Sequence, residues 1–262
     1  MIFQPEVDPP LAENDWSDMR NRVKHIVYIL KKTYPDARIV LNYENNWELL
    51  VSVILSAQCT DKKVNEVTEK LFLKYKEPRN RKQETMTDEA LEIENFASVP
   101  IEELERDVKS TGFYRNKAKN IQRATKIILE NFGGELPKTM AEMLTIPGVA
   151  RKTANVVLGN AYGIVEGIAV DTHVLRLSQR LRLVDPQKVG PGKKPIYFKR
   201  TLDYYKDASP EKIEQALMKI IPKEDWFTLT YLLIDLGRAL CKAQKPICKD
   251  CPLKKLCPVS RA

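Results

Sequence analysis

The most constraining feature of the sequence is the stretch Leu144–Leu158, in which Pro147-Gly148 separates two helix-forming segments. Upstream, Thr139 and Glu142 have the spacing of a capping box, which predicts a short helix before the turn. Pro147-Gly148 should end that helix, and a second helix is predicted from about Ala150 to Gly163. The chain is therefore expected to contain a helix–hairpin–helix, whose free backbone N–H groups favour an anion such as a phosphate.

Lys152 falls in the first turn of the second predicted helix. An ammonium group is electrostatically unfavourable at a helix N-terminus, so this lysine should lose its proton more readily and act more readily as a nucleophile. The candidate phosphate contacts are Gly148 and the N–H groups of Val149 and Ala150. On its own, the stretch would more simply be an ordinary two-helix turn with a solvated surface lysine.

Two further features favour a catalytic role for Lys152 over that simpler interpretation. Asp171 lies in the segment Val170–His173, where it could cap the following helix or act as a catalytic carboxylate. Near the end of the chain, four cysteines follow the pattern Cys241-x6-Cys248-x2-Cys251-x5-Cys257. In a reducing compartment, clustered cysteines indicate metal ligands more than disulfides. Their spacing modestly favours an iron–sulfur cluster over structural zinc, which usually pairs two close cysteine doublets.

These motifs resemble those of a known family. The segments Leu55–Asp61, Ile146–Asn155 and Val170–His173, with the terminal cysteines, are similar to the helix-hairpin-helix DNA glycosylases and, within them, to the endonuclease III family. The resemblance extends from about Asn46 to Cys257, which is most of the chain. It implies an all-α fold in which two helical domains flank a DNA-binding cleft, with an iron–sulfur cluster loop at the C-terminal end.

The resemblance also implies a domain division. Residues 39–164 would form a six-helix domain that carries the helix–hairpin–helix. Residues 16–38 and 165–262 would together form the second domain, which holds the cluster, and residues 1–15 would be a flexible tail.

The implied activity is that of a bifunctional DNA glycosylase and AP lyase of base excision repair. Neutral Lys152 would attack C1′ of an oxidised pyrimidine nucleotide, such as thymine glycol, and leave a Schiff base whose β-elimination cleaves the strand. Asp171 would stabilise the oxocarbenium-like sugar. Cys241, Cys248, Cys251 and Cys257 would bind a [4Fe–4S] cluster.

Further residues match DNA contacts of the family. Gln58 would fill the gap that an extruded nucleotide leaves in the base stack, and Phe113 would enter from the other side. For Phe113 an ordinary buried aromatic is an almost equal alternative. Asp61 would lie near the damaged base, while Lys254 and Lys255 would contact phosphates from the cluster loop.

The net charge of +8 suits a polyanionic partner, damaged double-stranded DNA. No apolar run is long enough to span a membrane. The polar, Pro-rich N-terminal segment has no signal-peptide core. We therefore expect an intracellular protein that is not secreted, and the resemblance implies a monomer.

Two alternatives stay open. A monofunctional glycosylase of the same superfamily, for example one acting on adenine or on mismatched thymine, is disfavoured by the presence of Lys152. A non-catalytic iron–sulfur protein that uses the hairpin only for backbone contact would bind DNA in a salt-sensitive manner without cleaving it.

Hydrophobic periodicity and capping residues predict helices throughout and no convincing strand. Lys74–Asp88 is predicted to be a charged surface loop, and Val184–Lys206 matches no part of the family pattern. The helices are expected at about 16–34, 46–57, from Thr60 onward, 88–96, 100–109, 116–131, 171–183, 209–221 and 226–241.

Overall fold

The computed structural model describes residues 19–76, 87–190, 192–198 and 200–262. These residues are predominantly helical, which confirms the all-α class. In the described part of the chain, no helix is both long and apolar enough to cross a membrane. The expected tail, 1–15, and all but the first residue of the charged segment Lys76–Gln83 lie outside the described residues.

The helices follow the predicted order, with bounds that differ by a few residues. They are α1 (Met19–Thr33), α2 (Asn46–Leu55), α3 (Asp61–Lys76), α4 (Asp88–Ser98), α5 (Ile101–Asp107), α6 (Tyr114–Phe132), α7 (Met140–Met143), α8 (Arg151–Tyr162), α9 (Thr172–Arg180), α10 (Pro210–Met218) and α11 (Trp226–Ala239). Short 3-10 helices cover Lys109–Thr111, Lys223–Asp225 and Cys248–Asp250.

The described residues divide into two units. The first, here the terminal unit, consists of the described residues up to Ala37, of Thr172–Asp225 and of Leu232–Ala262; the second, the central unit, consists of Arg38–Asp171 and Trp226–Tyr231. The domain boundaries at 39–164 and 165–262 stay a prediction.

The central unit is built around α2. All but the first of its residues are buried, as expected for a helix that is apolar on every side. Asn45 caps it by accepting a hydrogen bond from the Glu48 N–H at 2.8 Å. The inward faces of α3, α6 and α8 join the same hydrophobic core. Packing against α2 therefore fixes the helices that carry Asp61 and Lys152.

The expectation that the chain has no strand is wrong. In the terminal unit, β1 (Pro195–Phe198) and β2 (Thr201–Tyr205) form an antiparallel hairpin with an irregularity between Ile196 and Tyr197. Aromatic and β-branched residues dominate both strands, and these residues fit a half-buried pleated surface. Tyr204 and Tyr205 of β2 are both buried.

One further boundary differs from its prediction. Helix α3 continues to Lys76, so the predicted loop does not begin at Lys74. The Nζ atom of Lys74 contacts Asp107 at 2.6 Å and Glu103 at 3.0 Å. These ion pairs with α5 favour one more helical turn in a stretch that looks like a solvated charge run.

Candidate active site and cysteine cavity

The helix–hairpin–helix forms as the sequence predicts. Thr139 accepts a hydrogen bond from the Glu142 N–H at 3.3 Å and caps α7. Gly148 has a φ of +84°, in the region that favours glycine. A Cβ atom at this position would also lie only 3.0 Å from the Cβ of Asn120 on α6. Both the backbone conformation and this close approach therefore require glycine in the turn.

The hairpin N–H groups fall into two classes. The Val149 N–H donates to the Ile146 carbonyl at 3.1 Å and so closes the turn itself. Within the part of the chain that the structure describes, the N–H groups of Gly148 and Ala150 donate to no backbone carbonyl, and both residues are exposed. Ala150 is extended, with a φ of −96°, so alanine causes no backbone strain there. These two N–H groups are the donors that remain for an anion.

Lys152 is the second residue of α8 and is partly buried. Burial lowers the pKa of its ammonium group, because the charged form loses hydration. The carboxylates of Asp171 and, to a smaller extent, Asp61 oppose this effect and raise the pKa. The amine thus lies where burial makes deprotonation easier and where two anions act on it electrostatically.

The two carboxylates come from different elements of the central unit. Asp171 directly precedes α9, and Asp61 is the first residue of α3; both are partly buried. The structure therefore brings three of the predicted site residues, Lys152, Asp171 and Asp61, into electrostatic contact within one unit. Their catalytic and substrate-contacting roles stay predictions.

Gln58 and Phe113 occupy two exposed turns of the central unit. Both have left-handed backbone conformations, with φ values of 53° and 48°. Such values are uncommon for residues other than glycine and mark strained positions. The Phe113 side chain is 63% exposed, so the alternative of an ordinary buried aromatic is wrong. A large apolar side chain held toward solvent on a strained turn fits a role in binding.

The four cysteines of the C-terminal array line one cavity in the terminal unit. It has about 390 Å³ of space, part of it open to solvent. All four thiols are free. Leu177, Leu181 and Leu236 form part of its apolar wall. In residues 19–262, apart from the undescribed positions, no group of three or more His, Cys, Asp or Glu side chains is arranged to hold a single metal ion.

Two cationic residues, Arg180 and Lys254, line the cavity. Arg180 approaches the Sγ of Cys241 at 3.3 Å through Nη1, while its guanidinium is paired with buried Asp203 at 2.7 Å. Burial, with a smaller contribution from the neighbouring cysteines, raises the pKa of Cys257 to about 11. Thiolates would therefore need a compensating positive charge at this place, such as bound iron.

Lys254 and Lys255 are exposed on the loop between Cys251 and Cys257. The Lys254 ammonium donates to the Lys249 carbonyl at 2.9 Å, which fixes the loop to the preceding turn. Arg180 was not among the sequence-derived candidates. Its position in α9 is compatible with a solvent-facing arginine, and no local pattern distinguishes it from one.

Comparison with known proteins identifies the same family. Residues 51–200 match the family model described as HhH-GPD superfamily base excision DNA repair protein. The chain is 45% identical over 243 residues to an endonuclease III of Synechocystis, with 93% of this chain and 94% of that protein covered. It is 44% identical over 238 residues to an endonuclease III of Bacillus subtilis, covering 90% and 92%.

Solved structures agree with these matches. The model matches the structure of a non-covalent endonuclease III–DNA complex with a TM-score of 0.74 and 40% identity, over 91% of this chain and 95% of that one. A trapped endonuclease III–DNA covalent intermediate matches with the same scores and coverage.

Proposed function

The chain belongs to the HhH-GPD superfamily of base excision DNA repair proteins, and we propose that it is a bifunctional DNA glycosylase and AP lyase acting on oxidised pyrimidines in duplex DNA. Its relatives at 45% and 44% identity are endonucleases III, and the family model that it matches describes base excision DNA repair proteins. Our proposal consists of the lyase step, the class of lesion, action as a monomer and the residues that carry out the reaction.

The environment of Lys152 is the observation that supports this proposed function most strongly. Covalent catalysis needs a neutral amine at working pH, and burial moves the Lys152 pKa in that direction. The Nζ atom attacks C1′, the N-glycosidic bond breaks, and the base leaves with a proton. After ring opening, C1′ and Nζ form an imine. Loss of a C2′ proton then breaks the C3′–O bond and cleaves the strand.

Asp171 supports two of these steps. Its carboxylate acts on the Lys152 ammonium, so it lies close enough to stabilise positive charge that develops on the sugar. Because it has the larger electrostatic effect on Lys152, it is also the candidate to accept the proton that the attacking amine releases. Asp61 has a weaker electrostatic effect on Lys152, and we propose that it contacts the damaged base.

DNA is held through contacts that carry no sequence information. Gly148 and Ala150 present their N–H groups to a phosphate, and the Val149 N–H keeps the turn in shape. Gln58 and Phe113 occupy the gap left by the extruded nucleotide, a role that their exposure and fixed turns support. Lys254 and Lys255 are proposed phosphate contacts at the cysteine loop.

The four cysteines are proposed to bind one [4Fe–4S] cluster. A single zinc ion would need its thiolates to converge at about 2.3 Å from one point. The spacing of the four cysteines favours a larger cluster with one cysteine to each iron, and all four thiols line one shared cavity that is compatible with it. When bound, the cluster supplies a covalent brace for the loop that presents Lys254 and Lys255.

The decisive experiment is borohydride trapping, because borohydride reduces the imine to a stable amine. Duplexes with one thymine glycol, one abasic site or no damage are incubated with wild type, Lys152→Ala and, as a charge-matched control, Lys126→Ala on the exposed face of α6. We expect a covalent protein–DNA band with both damaged duplexes, unchanged by Lys126→Ala and absent with Lys152→Ala.

Other patterns of covalent protein–DNA bands lead to different conclusions. A band with the abasic site alone retains the lyase and rejects thymine glycol as the base that is excised. No band with either substrate, from protein that is folded and binds DNA, contradicts the bifunctional proposal and favours the monofunctional or non-catalytic alternative. Visible absorption with iron and acid-labile sulfide analysis tests the cluster, and Cys59→Ser serves as the cysteine control outside the array.

A further inference from the structure

Lys117 is a buried lysine in the first turns of α6 that the proposed reaction does not use. Its side chain is buried, with the residue only 5% exposed. The ammonium donates two hydrogen bonds of 2.8 Å, one to the carbonyl of Leu55 and one to the carbonyl of Thr111. Burial lowers the pKa of Lys117, and a cation near a helix N-terminus is also unfavourable. The two carbonyl contacts are what offset these penalties.

Each of these carbonyls lies just before one of the two strained turns. Leu55 is the last residue of α2 and precedes Gln58 by three positions. Thr111 ends the 3-10 helix Lys109–Thr111 and precedes Phe113 by two positions. Left-handed conformations of this kind persist only when the surrounding structure determines them strongly. One ammonium group is therefore bonded to both of the segments that enter these turns.

The backbone of Lys117 adds a third link to the same place. Its N–H donates to the carbonyl of Phe113 at 3.2 Å, which starts α6 directly after the strained residue. The same residue thus holds the Phe113 turn from both sides through its backbone and side chain, and it holds the end of α2 through its side chain. A neutral side chain of equal length could fill the space but could not make the two carbonyl contacts.

We propose that Lys117 is a positioning residue that fixes the Gln58 and Phe113 turns relative to each other, so that both side chains enter the DNA together when a nucleotide is extruded. This inference rests on the proposed function, because it takes Gln58 and Phe113 as the residues that fill the gap in the base stack. Lys117 itself touches neither substrate nor reacting atoms in this account. It acts through the two turns.

The test compares a step that needs extrusion with one that does not. Excision of thymine glycol from a duplex requires the nucleotide to leave the stack. Strand cleavage at an abasic site in single-stranded DNA requires only Lys152 and its surroundings. Lys117→Met removes the ammonium and retains most of the side-chain volume. The matched control is Gln122→Leu on the same helix, since the Gln122 amide also donates a 2.8 Å hydrogen bond to a backbone carbonyl, that of Val99.

We expect Lys117→Met to slow single-turnover excision from the duplex by about 10- to 100-fold, the range in which small misplacements of positioning groups act. Cleavage of the single-stranded abasic substrate should stay at the wild-type rate. A 2-aminopurine opposite the lesion should lose its fluorescence change on binding, because the orphaned base is no longer displaced. Gln122→Leu should alter none of these readouts, and Lys117→Arg should recover part of the duplex activity.

A double-mutant cycle separates positioning from general stability. In the background of Gln58→Ala with Phe113→Ala, Lys117→Met should add little further loss, because the residues through which it acts are already absent. A full additive loss, or an equal loss on both substrates, would overturn the proposal. Should Lys117→Met fail to fold, Lys117→Arg is taken through the same cycle and judged by the same criteria. Failure of the proposed function would instead show as absent trapping by wild type.

Discussion

At the residue scale, the pH dependence of the lyase step reports the environment of Lys152. The amine reacts only when neutral, so the rate of imine formation should rise with pH and level off above the Lys152 pKa. Because burial lowers that pKa, we expect the midpoint below the ordinary lysine value of 10.5. Single-turnover trapping on an abasic duplex, measured across pH, gives the midpoint and the plateau separately.

Replacing Asp171 then distinguishes its two proposed effects. Its carboxylate raises the Lys152 pKa, so Asp171→Asn should move the midpoint to lower pH. The same change should lower the plateau, since the catalytic carboxylate is gone. Asp61→Asn should move the midpoint in the same direction by less. A midpoint that rises with Asp171→Asn would contradict the electrostatic account of the site.

At the scale of elements, Glu48 of α2 and Glu92 of α4 interact electrostatically. Glu92 of α4 is almost fully buried; one of its oxygens accepts a hydrogen bond from Asn45 at 2.9 Å, and the other has no hydrogen-bond partner among the described residues. Burial, helped by the negative charge of Glu48, raises the pKa of Glu92 to about 7. The folded protein therefore retains a proton that the unfolded chain releases near pH 4.5.

This linkage predicts a stability that falls with rising pH. Between about 4.5 and 7 the folded state binds more protons than the unfolded state, so the free energy of unfolding decreases through this window and is lowest above it. A difference of about 2.5 pKa units corresponds to about 3 kcal/mol. Glu92→Gln removes this titration and retains an acceptor for Asn45, so it should stabilise the protein by up to about that amount at pH 8 and by little at pH 4.

Denaturant unfolding at several pH values measures this difference directly. Glu69→Gln on the exposed side of α3 is the control for the change in net charge. A Glu92→Gln effect that is the same at pH 4 and pH 8 would refute the linkage, because a packing change alone has no reason to follow the protonation of one carboxyl group.

The elements also show what the sequence can predict and where it fails. Caps and breakers act locally, so Thr139, Gly148 and Gly163 located the helix–hairpin–helix correctly from the printed residues. The β1–β2 hairpin was missed because its stability depends on distant partners. Asp203 of β2 pairs with Arg180 of α9, and Arg261 contacts both Asp203 and the ring of Phe198.

Lys117 was missed for a related reason. Its spacing on α6 places it beside apolar residues, but its two acceptors are backbone carbonyls, and a carbonyl oxygen has no sequence signature. Lys152 was found because its helix-terminal position, taken together with Asp171 and the four-cysteine array, forms a set of motifs that can be recognised in the sequence. A side chain that bonds to the backbone of its own turn, such as the cap Thr139, can be predicted from local spacing, whereas one that bonds to backbone carbonyls of other segments requires the fold.

At the scale of the whole molecule, the segment after α11 is held in place differently from the central unit. The central unit contains an extensive hydrophobic core that runs from Leu41 to Ala169 along the chain. In the terminal unit, the segment after α11 has only a short 3-10 helix among the described residues. Buried arginines bind its carbonyls: Arg22 contacts that of Leu256, and Arg180 contacts those of Lys242 and Ala243, each at 2.8 Å.

Removal of the proposed cluster should therefore unfold one part of the chain and spare the other. Without bound iron, the four free thiols lose their common partner, and the loop from Cys241 to Cys257 retains the arginine contacts, a few apolar side chains and local backbone hydrogen bonds. Hydrogen exchange measured by mass spectrometry should become faster at 240–262 and in α9 after iron chelation or in Cys257→Ala. Protection of α2, α6 and α8 should persist, because their core contains no cysteine of the array.

Cys59→Ser provides the control, since Cys59 packs against the central core and lies outside the array. It should retain iron and the wild-type exchange pattern. Loss of protection in α2 and α6 together with the C-terminal segment would show that the cluster stabilises the whole fold rather than one loop. Unchanged exchange at 240–262 after complete loss of iron would show that Arg22 and Arg180 are sufficient to hold the loop, and the proposed bracing role of the cluster would then have to be abandoned.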